Sequence, residues 1–269
     1  MPTLLGIPFD ANSSFLRGPS RAPAKIREAL HCDASNSWSE SGVDIGAPGT
    51  YADGGDLQLH DSKPKVTEDF AAIENAIQNL LASRTRPISL GGDHSITYPI
   101  LKAFSRHYPG LTIVHFDAHP DLYDQFEGNR LSHACPFARI MEERLAKRLL
   151  QIGIRTLNQH QREQAVKFGV EILPISQLPA LGRVRLNGPV YISFDIDVLD
   201  PAFAPGVSHH EPGGMSVREA IAHLHAIEGQ IVGADIVEYN PEQDTAGITA
   251  TVAAKILKEM LGRMIVTNR

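Results

Sequence analysis

Acidic residues and histidines follow three apolar segments of this 269-residue chain. In the clearest case, the apolar run LTIVHF is followed by Asp117, His119 and Asp121 at every second position. Because side chains alternate between the two faces of an extended strand, these three side chains share one side. Burying such groups together is costly unless a cation compensates their charge. The spacing therefore predicts a metal site at the end of a strand.

Two further apolar runs end in the same way. The run PISL leads into Asp93 and His94. The run VYISF leads into Asp195 and Asp197. A single Asp after a strand is often a helix N-cap, and Asp93 alone could brace its loop, but caps do not explain three such endings. Two His and four Asp without a thiolate suit six-coordinate ions such as Mn²⁺ better than a structural zinc, and six ligands suit two bridged ions.

Strands and helices alternate along the chain and must position these residues. Apolar runs that suit strands buried on both faces occur at 3–7, 87–91, 111–116, 149–154, 170–174, 189–194 and 230–237, with a further candidate at 263–267. Helical patterns lie between them at 20–30, 65–83, 97–107, 134–146, 159–168, 216–226 and 249–262. This alternation predicts one α/β domain over residues 1–269, a three-layer α/β/α fold with a mostly parallel sheet of about eight strands. Residues 32–63, rich in Ser, Gly and Asp, are expected to form a long surface excursion.

The composition limits the classes of function. A formal net charge of −6 gives no electrostatic reason to expect nucleic acid or an anionic membrane as a partner. No run reaches the roughly 20 apolar residues that span a bilayer, and the N-terminus does not read as a signal peptide. Two cysteines, Cys32 and Cys135, exclude a disulfide framework. We therefore expect a cytoplasmic protein.

The chain resembles the ureohydrolase family, which comprises arginase, agmatinase and related guanidino hydrolases. The resemblance is carried by GGDHS (91–95), DAHPD (117–121), SFDIDVLDP (193–201), EPGG (211–214) and DIVEYNP (235–241). With LLGIPFD near the N-terminus, it covers essentially the whole chain. The segments FEGNRLSHACPFARI and FAPGVSHHEPGG are most similar to plant-type arginases and their bacterial agmatinase-like relatives.

The resemblance implies two Mn²⁺ ions per subunit, with Ni²⁺ as the alternative metal, and it implies their ligands. One ion would be held by His94, Asp117, Asp121 and Asp195. The other would be held by Asp117, His119, Asp195 and Asp197, so that Asp117 and Asp195 bridge the pair. It also implies a homotrimer or homohexamer, by analogy alone.

The reaction that the resemblance implies is hydrolysis of a guanidinium group to urea and an amine, by attack of a hydroxide that bridges the metals. Asp121 would also orient that hydroxide. Glu238 would pair with the guanidinium, whose planar fork of donors suits a carboxylate. His133 would pass a proton to the leaving amine. Cys135 is expected to be a small buried residue rather than a nucleophile.

The substrate within the family stays open between agmatine and arginine, with guanidinobutyrate and guanidine as alternatives. Candidate substrate-binding residues are Asp124, Glu127, Asn129, His133, His209 and Glu238. The two acids Asp124 and Glu127 favour a cationic substrate tail, although plant-type arginases look similar in this segment. His209 and His210 can each be interpreted equally well as a solvated residue or as a substrate contact.

Two other classes of function remain. A different metal-dependent amidohydrolase on the same scaffold would hold one zinc, so the metal content per chain distinguishes it. A non-catalytic subunit would keep the fold without releasing urea, although the complete set of ligand positions argues against this alternative.

Overall fold

The centre of the protein is a sheet of parallel strands. It is described from a computed structural model that covers residues 1–60, 65–180 and 182–266. The strands are β1 (Pro2–Gly6), β2 (Ala52–Asp56), β3 (Arg86–Leu90), β4 (Thr112–Phe116), β5 (Arg148–Ile154), β6 (Glu171–Pro174), β7 (Val184–Asp195) and β8 (Ile227–Val237). They pair in parallel in the order β2-β1-β3-β8-β7-β4-β5-β6. The middle of the sheet is therefore made by β8 and β7, the last two strands in the chain.

Helices cover both faces of this sheet. They are α1 (Ala22–Leu30), α2 (Val66–Ala82), α3 (Thr97–His107), α4 (Pro136–Glu142), α5 (Gln159–Phe168), α6 (Val217–Ala226) and α7 (Ile248–Val266). One core contains Ile26 of α1 and Ile256 of α7, and the opposite core contains Ile77 of α2. On β4, Val114 enters the first core and Ile113 the second, which is why the strands are apolar at successive positions. The predicted three-layer α/β/α fold is confirmed.

Local signals in the sequence set the ends of several helices. The side chain of Asn158 accepts a hydrogen bond from the Gln161 backbone N–H at 2.9 Å, and the Gln161 side chain accepts from the Asn158 N–H. Gly169 ends α5 in the left-handed region, at φ 66°. Because both signals are readable in the sequence, helix α5 lies where it is predicted. Within the described residues, no helix is long and apolar enough to cross a membrane.

Two predictions about strands are wrong. Residues 263–266 of the expected last strand continue α7, and residue 267 lies outside the described residues. The buried positions Leu257, Met260, Leu261 and Met264 follow a helical period, so packing against the sheet overrides the strand preference of Ile and Val. The second wrong prediction concerns residues 32–63, which were expected to form a surface excursion but contain strand β2.

Strand β2 has the sequence ADGGD, which carries no apolar pattern. It pairs with β1 at the edge of the sheet. Arg27 of α1 holds it there, since its guanidinium donates to Asp53 at 2.8 Å and to Asp56 at 2.5 Å. A strand that is stabilised by backbone pairing and ion pairs leaves no signal in the hydrophobicity of the sequence.

Candidate metal centre

Four neighbouring strands bring the acidic residues together. Strand β3 leads into His94 and β8 into Glu238, while β7 ends at Asp195 and β4 leads into Asp117. These strands are adjacent in the sheet and run in the same direction, so their carboxyl ends meet at one edge. All four side chains are buried. The sheet therefore assembles residues that lie more than a hundred positions apart in the sequence.

The first cluster surrounds the imidazole of His94. Its Nδ1 atom lies 3.3 Å from Asp117 Oδ2, 3.0 Å from Asp121 Oδ2 and 3.2 Å from Asp195 Oδ2. This nitrogen is buried and meets hydrogen-bond geometry with none of them. Although burial alone lowers the pKa of His94, the three carboxylates raise it well above its ordinary value. The three carboxylates therefore favour a positive charge at His94 Nδ1, carried by a proton or by a metal ion.

A hydrogen-bond chain behind His94 determines which ring nitrogen carries the proton. The Ser193 hydroxyl donates to Asp235 Oδ1 at 2.7 Å, so its oxygen accepts from His94 Nε2 at 3.0 Å. Nε2 therefore carries one proton, and Nδ1 is the position at which the ring takes either the second proton that its raised pKa favours or a metal ion. Lone pairs that face one another in a buried site need a cation between them, which is the arrangement of a metal ligand.

The second cluster surrounds His119. Its Nδ1 atom lies 2.9 Å from Asp197 Oδ2 and 3.5 Å from Asp117 Oδ1. The two oxygens of Asp117 thus approach different histidines, Oδ2 facing His94 and Oδ1 facing His119. Donor atoms of Asp117, His119 and Asp197 lie within 4.8 Å of one another. The residues present therefore fit two cations that share the Asp117 carboxylate.

The carboxylates of this centre repel one another. Burial, followed by the charges of Asp197 and Asp117, raises the pKa of Asp195 well above its ordinary value. Burial and the neighbouring Asp117 raise the pKa of Asp197 to about 6, against the opposing influence of His119. Such shifts show that the carboxylates of the protein alone leave an excess of negative charge, which divalent ions would neutralise.

Glu238 and His133 form a second pair at the same edge. His133 Nδ1 donates to Glu238 Oε1 at 2.8 Å, and the same oxygen accepts from the His94 backbone N–H at 2.8 Å. Burial lowers the pKa of His133, but the Glu238 carboxylate outweighs it and raises that pKa to about 9. The Ser14 hydroxyl oxygen lies 2.8 Å from His133 Nε2 and can accept from it when the ring is protonated, whereas the Ser14 backbone N–H, at 3.2 Å, donates to it when the ring is neutral.

Two of these residues adopt a backbone conformation that is rare outside glycine. Asp121 has φ 47° and Glu238 has φ 62°. Each left-handed residue costs roughly 1–2 kcal/mol relative to the ordinary helical or extended regions. Both positions are buried at the acidic edge, and we interpret their strained backbone as a functional requirement.

The comparisons with known proteins identify the family of this chain. The family model described as "Arginase family" matches residues 2–262. The chain belongs to the arginase family. It is similar to Arginase 1, mitochondrial, from Arabidopsis thaliana, at 46% identity over 97% of this chain and 80% of that protein. It is also similar to the agmatinase of Bacillus subtilis (strain 168), at 35% identity over 96% of this chain and 90% of that protein.

A solved structure in the family has the same fold. The arginase from Medicago truncatula superposes with a TM-score of 0.91 at 43% identity, over 98% of this chain and 87% of that one. The resemblance to ureohydrolases is confirmed. The chain is accordingly a metal-dependent hydrolase of the arginase and agmatinase type, which acts on a small guanidino substrate.

The expected cytoplasmic location is contradicted by the same comparisons. Several of the matched plant arginases are named as mitochondrial proteins. The low cysteine count excludes a disulfide framework, but it does not distinguish between compartments in which disulfides are rare. The cytoplasmic prediction is therefore wrong.

His115 supports the centre of this arginase-family protein and was missed in the sequence. Gln151 Nε2 donates to Pro120 O at 2.6 Å and to His115 Nδ1 at 3.0 Å. His115 Nε2 therefore carries the proton and donates it to Asp117 Oδ2 at 2.7 Å. With both nitrogens engaged, His115 orients a ligand and is not free to be one. A histidine inside a buried strand, two residues before Asp117, is the signal that could have revealed it.

Two acidic residues of the sequence motifs have structural roles. Asp93 accepts hydrogen bonds from the Asn12 N–H at 2.9 Å and the Ser95 N–H at 3.0 Å, so it braces its loop. Asp200 accepts from the Gly213 N–H at 2.6 Å. This contact joins the turn that begins at Asp200 to the EPGG segment, which contains Gly213. Both contacts satisfy backbone donors that would otherwise lack partners.

A cavity of about 170 Å³ opens beside the acidic edge. Besides His119, Asp121, His133, Asp195, Asp197 and Glu238, it is lined by Ser14, Tyr123, Phe126, Ala134, Thr156, Gln161, His209 and Glu211. His209 is thus a lining residue. The neighbouring His210 lies outside the cavity lining and its ring contacts Pro205 O at 2.8 Å.

Three of the predicted substrate contacts lie outside the lining of this cavity. Asp124 accepts from Arg130 and from Arg139, each at 2.8 Å. Glu127 is exposed in a tight turn at φ 50°. The Asn129 side chain accepts from a backbone N–H two residues on. The chain turns back on itself between Phe126 and Asn129, so this segment contributes Tyr123 and Phe126 to the lining in place of the three predicted residues.

Proposed function

We propose that this chain holds two Mn²⁺ ions and hydrolyses the guanidinium group of agmatine or arginine to urea and an amine. The observation that carries this proposal is the position of Asp117, whose two oxygens approach the Nδ1 atoms of two different histidines. One ion is assigned to His94, Asp117, Asp121 and Asp195. The other is assigned to Asp117, His119, Asp195 and Asp197.

The donor chemistry supports this choice of metal. Four carboxylates and two imidazoles are mostly hard ligands, and none of the six is a thiolate, which favours Mn²⁺, with Ni²⁺ as the alternative. When bound, two such ions supply Lewis acidity and an activated water near neutral pH.

The residues of the chain then bind and orient the substrate. Glu238 is held by His133 and by the His94 N–H through Oε1 alone, so Oε2 accepts no hydrogen bond from the described residues. This oxygen is assigned to the guanidinium, which binds carboxylates through a planar fork of donors. Asp121, beside His94, would accept a hydrogen bond from the attacking water.

His133 is assigned to the leaving amine. Its raised pKa keeps a proton available through neutral pH, and His133 lines the cavity, where Ser14 is the one hydrogen-bond partner of Nε2 among the described residues. A proton at Nε2 becomes transferable when the contact with Ser14 opens. This role needs a histidine that is held firmly at its other nitrogen, as Glu238 does here.

The function is tested by a steady-state urea assay with agmatine, arginine, guanidinobutyrate and guanidine as substrates. Measurement of bound metal per chain accompanies it. We expect two Mn²⁺ per chain and urea from agmatine or arginine. One zinc per chain, or no urea from any of the four substrates, would contradict the proposal.

We also propose that residues 1–269 form one catalytic domain and that the domains assemble as a homotrimer or homohexamer. The single sheet supports the first part, since both helical layers pack on it. The family supports the second by analogy. Light scattering coupled to size-exclusion chromatography measures the mass, and a monomer would contradict the assembly.

A further inference from the structure

One carboxylate of the cavity has no part in the proposed reaction. Glu211 lines the cavity and is only partly exposed. Its side chain makes no hydrogen bond or ion pair with the residues that the structure describes. The other acidic residues of the lining lie in the two histidine clusters or bind His133. Glu211 is thus the remaining acid that a substrate can use.

The backbone of Glu211 is held in place relative to the metal centre. Its carbonyl oxygen accepts from Arg155 Nε at 3.0 Å and from Arg155 Nη2 at 2.6 Å. The same guanidinium donates to Asp197 O at 2.8 Å and to Val198 O at 3.2 Å. Arg155 therefore links the EPGG segment to the segment that carries a ligand. A binding residue needs such support if it is to hold its partner in one position.

The cavity offers little to a negatively charged substrate tail. Among the described residues that line it, none is a lysine or an arginine. Arg155 lies nearby, but its donors are occupied by backbone carbonyls. The ring of His209 packs against the rings of His133 and His119, with centroids 5.1 Å and 6.0 Å away. His133 itself is paired with Glu238.

We propose that Glu211 binds an ammonium group at the far end of the substrate, so that the site selects guanidino compounds that carry an amine. This inference rests on the proposed function and extends it from the guanidinium to the tail. Agmatine and arginine both carry such an ammonium, whereas guanidinobutyrate ends in a carboxylate and butylguanidine in a methyl group. An ion pair with Glu211 in the cavity favours the first two and leaves the last two without a partner.

The test compares Glu211→Gln with the wild type on agmatine, butylguanidine and guanidinobutyrate. We expect the KM for agmatine to rise about tenfold to a hundredfold, the range for loss of a charge-assisted hydrogen bond, with little change in kcat. The KM for butylguanidine should stay unchanged, because that substrate has no ammonium to lose. Glu163→Gln, an equal change of charge on the exposed face of α5, is the matched control and should behave as the wild type.

Every outcome of this experiment decides a specific point. Equal losses on agmatine and butylguanidine would show a structural role for Glu211 and overturn the inference, as would a wild type that prefers guanidinobutyrate. Bound metal per chain and the melting temperature check that the variant is folded and loaded. Glu211→Lys provides a second test, since it should raise kcat/KM for guanidinobutyrate relative to kcat/KM for agmatine. Absence of urea from every substrate with the wild type would contradict the proposed function instead.

Discussion

His115 donates a hydrogen bond of 2.7 Å to Asp117, the carboxylate that approaches both histidine clusters. The two residues share one side of the chain at the end of β4. Gln151 holds the other nitrogen of His115, and the ring packs on Phe137 with centroids 4.0 Å apart. A neutral imidazole thus orients the carboxylate that we assign to both ions, before any ion binds.

This support should be visible in metal affinity. We expect His115→Phe, which keeps a ring but removes the donor, to weaken metal binding by about tenfold to a hundredfold, the usual effect of losing a group that orients a ligand. Competition with a chelator measures the affinity independently of activity. Gln151→Leu should have a smaller effect in the same direction. Unchanged affinity in both variants would show that Asp117 does not need this support.

Removal of the assigned ligands should separate metal binding from folding. We expect Asp195→Asn and His119→Ala to lower urea release by at least about a hundredfold and to reduce the bound metal per chain. The circular dichroism spectrum should stay that of the wild type, because both residues lie at the sheet edge and not in the two cores. Asp33→Asn, at an exposed position, is the control. Full activity of Asp195→Asn would contradict its bridging role.

The metal-free protein should lose stability as the pH rises. The pKa of Asp197 is raised to about 6 in the folded chain, so the folded state binds more protons than the unfolded state between about 4 and 6. The contribution of this residue therefore falls as the pH rises through that window. Thermal unfolding of the chelated protein at pH 4 and pH 7 measures the change.

Asp197→Asn is the matched variant for this measurement. It should lose less stability than the wild type between the two pH values, since it has no carboxylate to ionise. If the stability of the two proteins depends on pH in the same way, the repulsion between carboxylates does not come from Asp197. Saturation with Mn²⁺ should raise the melting temperature of the wild type by mass action.

His133 should determine the alkaline limb of the activity. With a folded-state pKa of about 9, raised above its ordinary value, His133 stays protonated through neutral pH and loses its proton as the pH rises through about 9. We expect kcat/KM to fall over that range. His133→Asn should lower kcat by about 100-fold or more and flatten that limb. His31→Gln, at an exposed position, is the control, and an alkaline limb that persists in His133→Asn would exclude this assignment.

A variant of Asp124 tests whether this residue binds the substrate tail, as the sequence suggests, or stabilises the fold, as its contacts suggest. Its carboxylate binds Arg130 and the buried Arg139 outside the cavity. We expect Asp124→Asn to leave the KM for agmatine within about twofold and to lower the free energy of unfolding by about 1 kcal/mol, because Arg139 loses a charged partner. A KM that rises as it does in Glu211→Gln would support the sequence hypothesis. Steady-state kinetics and chemical denaturation provide the two measurements.

The metal site could be predicted from the alternation of Asp117, His119 and Asp121 after an apolar run, because these residues are close together in the sequence. The caps of α5 are local in the same sense. The contact between His115 and Gln151 could not be predicted, since it joins two strands whose pairing the sequence does not state. Glu211 was not recognised as a cavity residue because Arg155, 56 positions away, holds its carbonyl. Strand β2 was missed because its stability comes from pairing and not from apolar side chains.

The order of strands also determines when the metal centre can exist. Within the described residues, the sheet joins the units β2-β1-β3 and β4-β5-β6 through β8 and β7, the last two strands in the chain. His94 and Asp117 follow strands of different units, so we expect them to meet only after the two central strands have inserted between those units. Insertion of such non-local parallel strands is slow. We therefore expect metal uptake to report a late step of folding, and a chain that stops before β7 carries four of the six assigned ligands and lacks Asp195 and Asp197.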